Sequence, residues 1–185
     1  MDTTLQPFRV YVDGIWDLFH EGHQAVFTKA INKGKERAGE HPVKLVVGVC
    51  GEGVSAYKRE TIMSLDERVN AVAAQQFIDK VVSNSPIHMT DQFMDEHKID
   101  LVVHGDDFSQ EKKMLYYGPA VNRDQYASVP YTKGVSTTEL LVEAKTEGQL
   151  TKTKNLTLLP TNELINRIQQ RSWEELNIEP PLVIG

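Results

Sequence analysis

The chain has 185 residues with 40% hydrophobic content, enough for one folded core but short for two domains of ordinary size. Its net charge of −6 argues against a nucleic-acid binder, and its single cysteine, Cys50, excludes an internal disulfide and a thiolate zinc cluster. The sequence has no long apolar run and no basic N-terminus followed by an apolar segment. It therefore predicts a cytoplasmic protein with neither a membrane span nor a signal peptide.

The first predicted element is a strand at residues 9–12, which are β-branched and aromatic and are followed by Asp-Gly. Apolar residues at helical spacing come next, so His20, Gly22 and His23 fall where a loop becomes the first turn of a helix. Such a turn has unpaired N–H groups and partial positive charge, and it attracts phosphate. The glycine would let a phosphate approach the backbone, and each imidazole could donate a hydrogen bond to it.

A second strand is predicted at residues 43–50, a continuous apolar run of the kind that parallel strands show when both faces are buried. With the first strand and helix it makes a βαβ unit. The polar segment at residues 51–63 is expected to be a loop at the carboxyl end of this strand, and it contains Lys58 and Arg59. Loops at that end form the ligand crevice in open α/β sheets.

Capping residues then mark three further helix starts. Ser64 and Glu67 fit a capping box and place Arg68 in a first turn, Thr90 precedes a brief helix, and a second capping box is predicted at residues 136–139. Strands are predicted at 80–82, 99–104 and 127–131, and one or two short helices at 109–124. Residues 149–185 are expected to form a helical extension, with a helix at 161–171, packed on a domain of residues 1–148.

Strands alternate with helices through the first part of the chain, which predicts an α/β fold. The expected architecture is a Rossmann-like doubly wound parallel sheet of about five strands with helices on both faces. Four loops at strand carboxyl ends carry unusual polar residues and would converge on one crevice. These groups are His20 with His23, Lys58 with Arg59, residues 105–107 and residues 134–138.

Three segments resemble the HxGH nucleotidyltransferases. DGIWDLFHEGH, at residues 13–23, looks most like the cytidylyltransferases that make CDP-alcohols for phospholipid synthesis. MSLDERV, at 63–69, resembles the family's Glu-Arg segment, and KGVSTTEL, at 133–140, resembles its RTEGxST signature. The resemblance implies transfer of CMP from CTP to a small phosphorylated alcohol, with Mg²⁺ bridging the phosphates, by a homodimer.

The resemblance also implies the site. His20, His23 and Lys58 would be catalytic and would stabilise the triphosphate, while Arg68 would bind phosphate and Ser136 would open a helix aimed at it. Asp17 is expected to fix the loop before the histidines rather than to transfer a proton. No metal ligand is assigned. The remaining nucleotide-binding positions that the resemblance implies are Gly14, Ile15, Trp16, Asp17, Gly22, His104, Gly105, Asp107, Gly134, Val135 and Thr137.

One departure from the family pattern concerns charge. Tyr131 stands where the family has arginine, and Lys133 stands where it has glutamate. Tyrosine cannot supply the positive charge, although Lys133 could substitute as a point charge. If it does not, the chain is a nucleotide-binding relative with weak or no catalysis.

The resemblance also bears on the acceptor, the phosphorylated alcohol that receives CMP. Asp13 matches an aspartate of the amino-alcohol enzymes and would bind the acceptor, and Lys58 is expected to contact it too. Choline would favour an aromatic cage, but Ile87 and Phe108 stand in segments where the choline enzymes place tryptophan and tyrosine. Phosphoethanolamine is therefore slightly favoured over phosphocholine, although Trp16, Tyr116 or Tyr117 could still build a cage. An adenylyltransferase or a glycerol-phosphate cytidylyltransferase of the same fold is the alternative.

Overall fold

The computed structural model describes residues 4–51, 59–132, 135–153 and 156–181. Lys58, Lys133 and Gly134 lie outside the described residues. The strands are β1 Phe8–Gly14, β2 Val43–Cys50, β3 Lys80–Ser85, β4 Leu101–Gly105 and β5 Tyr126–Val129. The helices are α1 Glu21–Ala38, α2 Leu65–Ala73, α3 Asp91–Glu96, α4 Gln110–Asn122, α5 Thr137–Glu147 and α6 Thr161–Gln169.

The five strands form one parallel sheet in the order β3-β2-β1-β4-β5. The chain builds outward from β1 to β3, then crosses back and builds outward from β4 to β5. The reversal lies between β1 and β4, and in sheets of this kind ligands bind beside the carboxyl ends of the two strands at the reversal. This topology confirms the predicted doubly wound α/β fold.

Both faces of the sheet are covered, as predicted. Val10 and Val12 of β1 point into a core shared with α1, α2, α5 and α6, while Tyr11 points into a second core with Met94 of α3 and Ala120 of α4. All three β1 residues are at most 1% exposed. A strand buried on both faces reads as a continuous apolar run, which explains its sequence.

The C-terminal residues pack on the same core and hold one loop. Ile168 of α6 and Leu176 lie in the cluster that contains the α5 side chains. Arg167 donates two hydrogen bonds to the Glu67 carboxylate, at 2.8 and 3.0 Å, and Arg171 donates to the carbonyl oxygens of Glu60 and Thr61. The C-terminal part of the chain therefore supports the segment that leads into α2.

The second predicted capping box is only half present. The Ser136 hydroxyl accepts from the Glu139 N–H, but the Glu139 carboxylate lies 3.7 Å from Lys152 Nζ. This exposed carboxylate pairs with Lys152 rather than with the N–H of Ser136. The box predicted at Ser64 and Glu67 has both hydrogen bonds and is confirmed.

Four of the five predicted strands have boundaries that differ from the structure by one to three residues; β1, for example, extends through Asp13 and Gly14, which were predicted to follow it. Strand β5 stops at Val129 because Pro130, which follows it, has no N–H to donate. The segment predicted as one or two short helices is α4, whose backbone leaves helical geometry at Tyr117 (φ −130°, ψ 21°). Pro119 lies inside this helix and kinks it because proline lacks the N–H that would bond to the preceding turn. Across the described residues, no helix is long and apolar enough to cross a membrane.

Candidate active site

A cavity of about 430 Å³ lies at the carboxyl ends of β1 and β4, with one side closed by the start of α5. Its wall contains most of the predicted site residues that the structure describes: Asp13, Gly14, Ile15, Trp16, Asp17, His23, His104, Gly105, Asp107, Ser136 and Thr137. The other described ones, His20, Gly22, Arg68 and Val135, lie next to this wall. The structure therefore brings described residues from all four loops that the sequence singled out to one cavity.

The two histidines cap α1 and order each other. His20 is the N-cap residue, and its Nδ1 accepts a hydrogen bond from the Gly22 N–H at 3.0 Å. His23 Nδ1 accepts from the His20 N–H at 3.2 Å, and the two rings stack with their centroids 3.7 Å apart. A side chain on Gly22 would collide with this arrangement, because its Cβ would lie 2.8 Å from His20 Cε1 and 3.0 Å from the Val135 carbonyl oxygen. The glycine is thus required by the histidine packing itself.

These bonds determine how the histidines can interact with a ligand. Burial lowers the pKa of His20 to about 4, and burial and the neighbouring His20 lower the pKa of His23 well below its usual value. Both rings are therefore neutral at pH 7. A neutral imidazole whose Nδ1 accepts carries its proton on Nε2, so each ring can donate one Nε2–H. His20 Nε2 lies 3.4 Å from Thr137 Oγ1 at the start of α5.

The loop that delivers His20 has a strained backbone. Trp16 and Leu18 have φ values of 57° and 49°, which cost about 1–2 kcal/mol per residue for side chains of this kind. The Trp16 Nε1–H donates to the Gly48 carbonyl oxygen at 2.8 Å. The buried Asp17 carboxylate accepts from the N–H groups of Ile62 and Met63 at 2.8 and 3.0 Å. These bonds to β2 and to the segment before α2 hold the loop in place.

Arg68 reinforces the same junction. Its side chain is 3% exposed, and its guanidinium donates to the carbonyl oxygens of Met63, Ile15 and Cys50 at 3.3, 2.9 and 2.7 Å. It thereby joins the loop after β1, the end of β2 and the start of α2. These donors face backbone oxygens, and the phosphate contact that the resemblance implies for Arg68 stays a prediction.

Arg59 is a cavity residue to which the sequence analysis assigned no role of its own. It is half-buried, and it is the only lysine or arginine in the described part of the cavity wall. Burial lowers its pKa, and the negative charge of Asp17 raises it. No hydrogen bond or ion pair links its guanidinium to the residues that the structure describes. The sequence places Arg59 beside Lys58 in the loop after β2, and this position could have marked Arg59 as a site residue.

Aromatic rings and a carboxylate form the side of the cavity towards α4. The Tyr117 hydroxyl donates a hydrogen bond to Asp13 Oδ1, and burial raises the pKa of Asp13 to about 6. His104 stacks on Phe108 at 4.1 Å between ring centroids, and Tyr116 lies beside these rings. Tyr131 is also in the wall and is 61% exposed. The described residues include no group of three His, Cys, Asp or Glu side chains placed to hold a metal ion.

A family model described as cytidylyltransferase-like matches residues 11–143, from β1 into α5. The chain belongs to the cytidylyltransferase-like family. Choline-phosphate cytidylyltransferase A of Homo sapiens is 33% identical over 153 residues, which cover 82% of this chain and 40% of that protein. Ethanolamine-phosphate cytidylyltransferase of Dictyostelium discoideum is 35% identical over 142 residues, covering 75% of this chain and 37% of that protein. The chain thus spans less than half the length of these relatives.

Solved structures with the same fold are more distant in sequence. The lipopolysaccharide core biosynthesis protein from Thermoplasma volcanium has a TM-score of 0.51 and 17% identity, over 69% of this chain and 98% of that chain. The macrolide-efflux protein from Streptococcus pneumoniae has a TM-score of 0.54 and 18% identity, over 86% of this chain and 58% of that chain. These likenesses concern the fold of the cytidylyltransferase-like domain alone.

Proposed function

We propose that this cytidylyltransferase-like chain transfers CMP from CTP to a phosphorylated amino alcohol and releases pyrophosphate. The observation that carries the proposal is the stacked pair His20 and His23 at the first turn of α1, beside Thr137 at the start of α5. Two helix N-termini and two imidazole N–H donors at one cavity suit a polyphosphate. The relatives named choline-phosphate and ethanolamine-phosphate cytidylyltransferase add the nucleotide and the acceptor class.

The reaction needs no covalent intermediate on the protein. An oxygen of the acceptor phosphate attacks the α-phosphorus of CTP in line, and the bond to the bridging oxygen breaks so that pyrophosphate leaves. Catalysis of this kind depends on positioning and on donors aimed at the developing charge. His20, His23 and the hydroxyls of Ser136 and Thr137 would supply those donors. Mg²⁺ held by the phosphate oxygens of CTP would supply further charge neutralisation.

Phosphoethanolamine is the acceptor that we propose first. A primary ammonium is satisfied by carboxylate oxygens, and Asp13 and Asp107 both lie in the cavity wall. Two of the nearby rings, His104 and Phe108, turn their faces towards each other rather than outward. Phosphocholine is the second candidate, because aromatic rings line the same side of the cavity and a quaternary ammonium binds to ring faces.

One assay tests this function. The protein is mixed with Mg²⁺, CTP or ATP, and phosphoethanolamine, phosphocholine or glycerol phosphate, and pyrophosphate is measured. We expect release with CTP and an amino-alcohol phosphate, fastest with phosphoethanolamine. Nucleotide binding without release from any pair would contradict catalysis and would support a binding role, which the replacement of the family arginine by Tyr131 also suggests. Release only with ATP would indicate an adenylyltransferase, and release only with glycerol phosphate would indicate a glycerol-phosphate cytidylyltransferase.

Arg59→Gln should raise the KM for CTP about tenfold, because a half-buried arginine can bind phosphate oxygens with two donors at once. The affinity for CMP, measured by calorimetry, should fall much less, because CMP lacks the two outer phosphates. Lys33→Gln removes the same charge from the exposed side of α1, where Lys33 pairs with Glu36, and serves as the control. Equal KM values for CTP in the two variants would rule out a phosphate contact for Arg59.

We also propose a homodimer that uses the side of the sheet near β3. This strand is at the edge of the sheet, and Phe77, just before it, is 38% exposed. Unpaired edge strands and exposed aromatic side chains favour association between chains. Light scattering should give twice the chain mass of 20.9 kDa at micromolar concentration. A mass of one chain would contradict the dimer, and Phe77→Lys should shift the mass towards one chain.

A further inference from the structure

We propose that Lys29 is a positioning residue: its ammonium group holds the loop after β5, at residues 130–132, so that the Tyr131 ring stays in the cavity wall and contacts the bound nucleotide. The inference rests on the proposed function and adds to it a residue of α1 that lies outside the cavity wall. The residues that Lys29 bonds are 101 and 103 positions away in the chain. No local sequence pattern therefore links them.

Two hydrogen bonds tie this loop to α1. Lys29 Nζ donates to the Pro130 carbonyl oxygen and to Thr132 Oγ1, each at 2.8 Å. These two acceptors lie on either side of Tyr131, and the Pro130 carbonyl belongs to the peptide group that joins Pro130 to Tyr131. An ammonium group has three N–H donors, so one lysine can hold both acceptors at once. The backbone before and after Tyr131 is thereby held by a single side chain.

The two bonds are strong and have no substitute nearby. No ion pair links the Lys29 ammonium to a described carboxylate, and a hydrogen bond from a charged donor is stronger than one between neutral groups. Strand β5 has already ended at Val129. Lys29 makes the only hydrogen bonds that join residues 130–132 to other residues the structure describes. A segment with so few bonds opens readily when they are lost.

The Tyr131 side chain depends on this support from the backbone. It is 61% exposed although it lies in the cavity wall, so a large part of its ring and hydroxyl is available to a ligand. No hydrogen bond or ring contact fixes this side chain to another residue in the described ranges. The direction of the ring is therefore set by the backbone that Lys29 holds.

Arg37 provides a comparison on the same helix. It lies about two turns after Lys29 in α1, and its guanidinium donates to the carbonyl oxygens of Asp124 and Tyr126 at 3.0 and 3.4 Å. These oxygens are at the start of β5, whereas Lys29 bonds the loop beyond its end. Both residues tie α1 to the region of β5, but only Lys29 does so at the end that faces the cavity.

The test measures CTP binding by calorimetry, with Mg²⁺ and without acceptor. For Lys29→Met we expect the Kd for CTP to rise about tenfold, because affinity falls with the fraction of molecules that have the loop in place. Arg37→Met should stay within about twofold of wild type, since it leaves that fraction unchanged. Thr132→Val removes one acceptor without altering α1 and should raise the Kd about threefold. An unchanged Kd in both Lys29→Met and Thr132→Val, or an equal rise in Lys29→Met and Arg37→Met, would overturn the inference.

A double-mutant cycle with Tyr131→Ala supplies a readout that a merely structural role would not move. If Lys29 acts through the Tyr131 ring, Lys29→Met should raise the Kd for CTP about tenfold in the wild-type background but less than about twofold in the Tyr131→Ala background. The full effect in both backgrounds would show that Lys29 acts independently of the ring and would contradict the positioning role.

Binding and turnover separate this inference from the proposed function. If the wild-type protein releases no pyrophosphate with any acceptor, but binds CTP and shows the coupling between Lys29 and Tyr131, the proposed function fails and the role of Lys29 stands. If pyrophosphate is released but the Kd for CTP does not respond to Lys29→Met, the reverse holds.

Discussion

His20→Ala is expected to lower pyrophosphate release at least about a hundredfold at saturating CTP and acceptor. Removal of one preorganised donor at a site of developing charge costs on the order of 3 kcal/mol of barrier. His20 presents its Nε2–H beside Thr137 because its Nδ1 is already committed to the Gly22 N–H. Initial rates of pyrophosphate release, measured from pH 7 to 8, should show the same loss throughout, because the pKa of His20 is about 4.

The alanine also removes the N-cap of α1, which by itself costs about 1 kcal/mol of stability. His20→Asn is the matched control, since asparagine is a good N-cap residue but places no donor where Nε2 lies. We expect His20→Asn to melt close to the wild-type temperature and still to be strongly impaired. Rates within a few fold of wild type in both variants would show that His20 has no role in the reaction.

Arg68→Met should lower the free energy of unfolding by about 3 kcal/mol, measured by urea denaturation. Three carbonyl oxygens would lose their donor at a buried junction, and the negative charge of Asp17 would lose a nearby positive partner. The loop that carries His20 would lose one of its attachments, so the catalytic rate should fall as well.

Arg123→Met is the control for this change. Arg123 follows α4 and pairs with Asp91 and Asp95 at the surface, where such pairs contribute about 1 kcal/mol or less. A normal unfolding free energy for Arg68→Met, together with a large rise in the KM for CTP, would contradict the anchoring role. That result would favour the phosphate contact that the family resemblance implies for Arg68.

Much of the fold could be predicted because its signals are local. Residues 43–50 are a strand both in the prediction and in the structure, because a continuous apolar run between proline and glycine is typical of a parallel strand that is buried on both faces. The placement of the histidine pair beside Thr137 followed from the rule that parallel strands bring their carboxyl-end loops to one edge. That rule needs only the order of elements, which the sequence displays.

Side-chain direction could not be predicted in the same way. Arg68 lies in the first turn of α2, a position compatible with solvent or with a ligand, and only the arrival of the loop after β1 and the end of β2 turns it inward. The sequence MLYYGPA marks a break in α4, but nothing in it shows that Tyr117 meets Asp13. Contacts between distant residues that no shared motif links are specified by packing, which a single sequence does not display.

Transfer of CMP can be followed directly by labelling the α-phosphorus of CTP. The protein is incubated with Mg²⁺, phosphoethanolamine and CTP that carries ³²P at the α-position, and the products are separated by thin-layer chromatography. We expect the label to appear in CDP-ethanolamine, in an amount equal to the pyrophosphate formed, and His20→Asn to abolish both. Label that remains in CTP, or that appears only in free CMP, would contradict transfer to the acceptor.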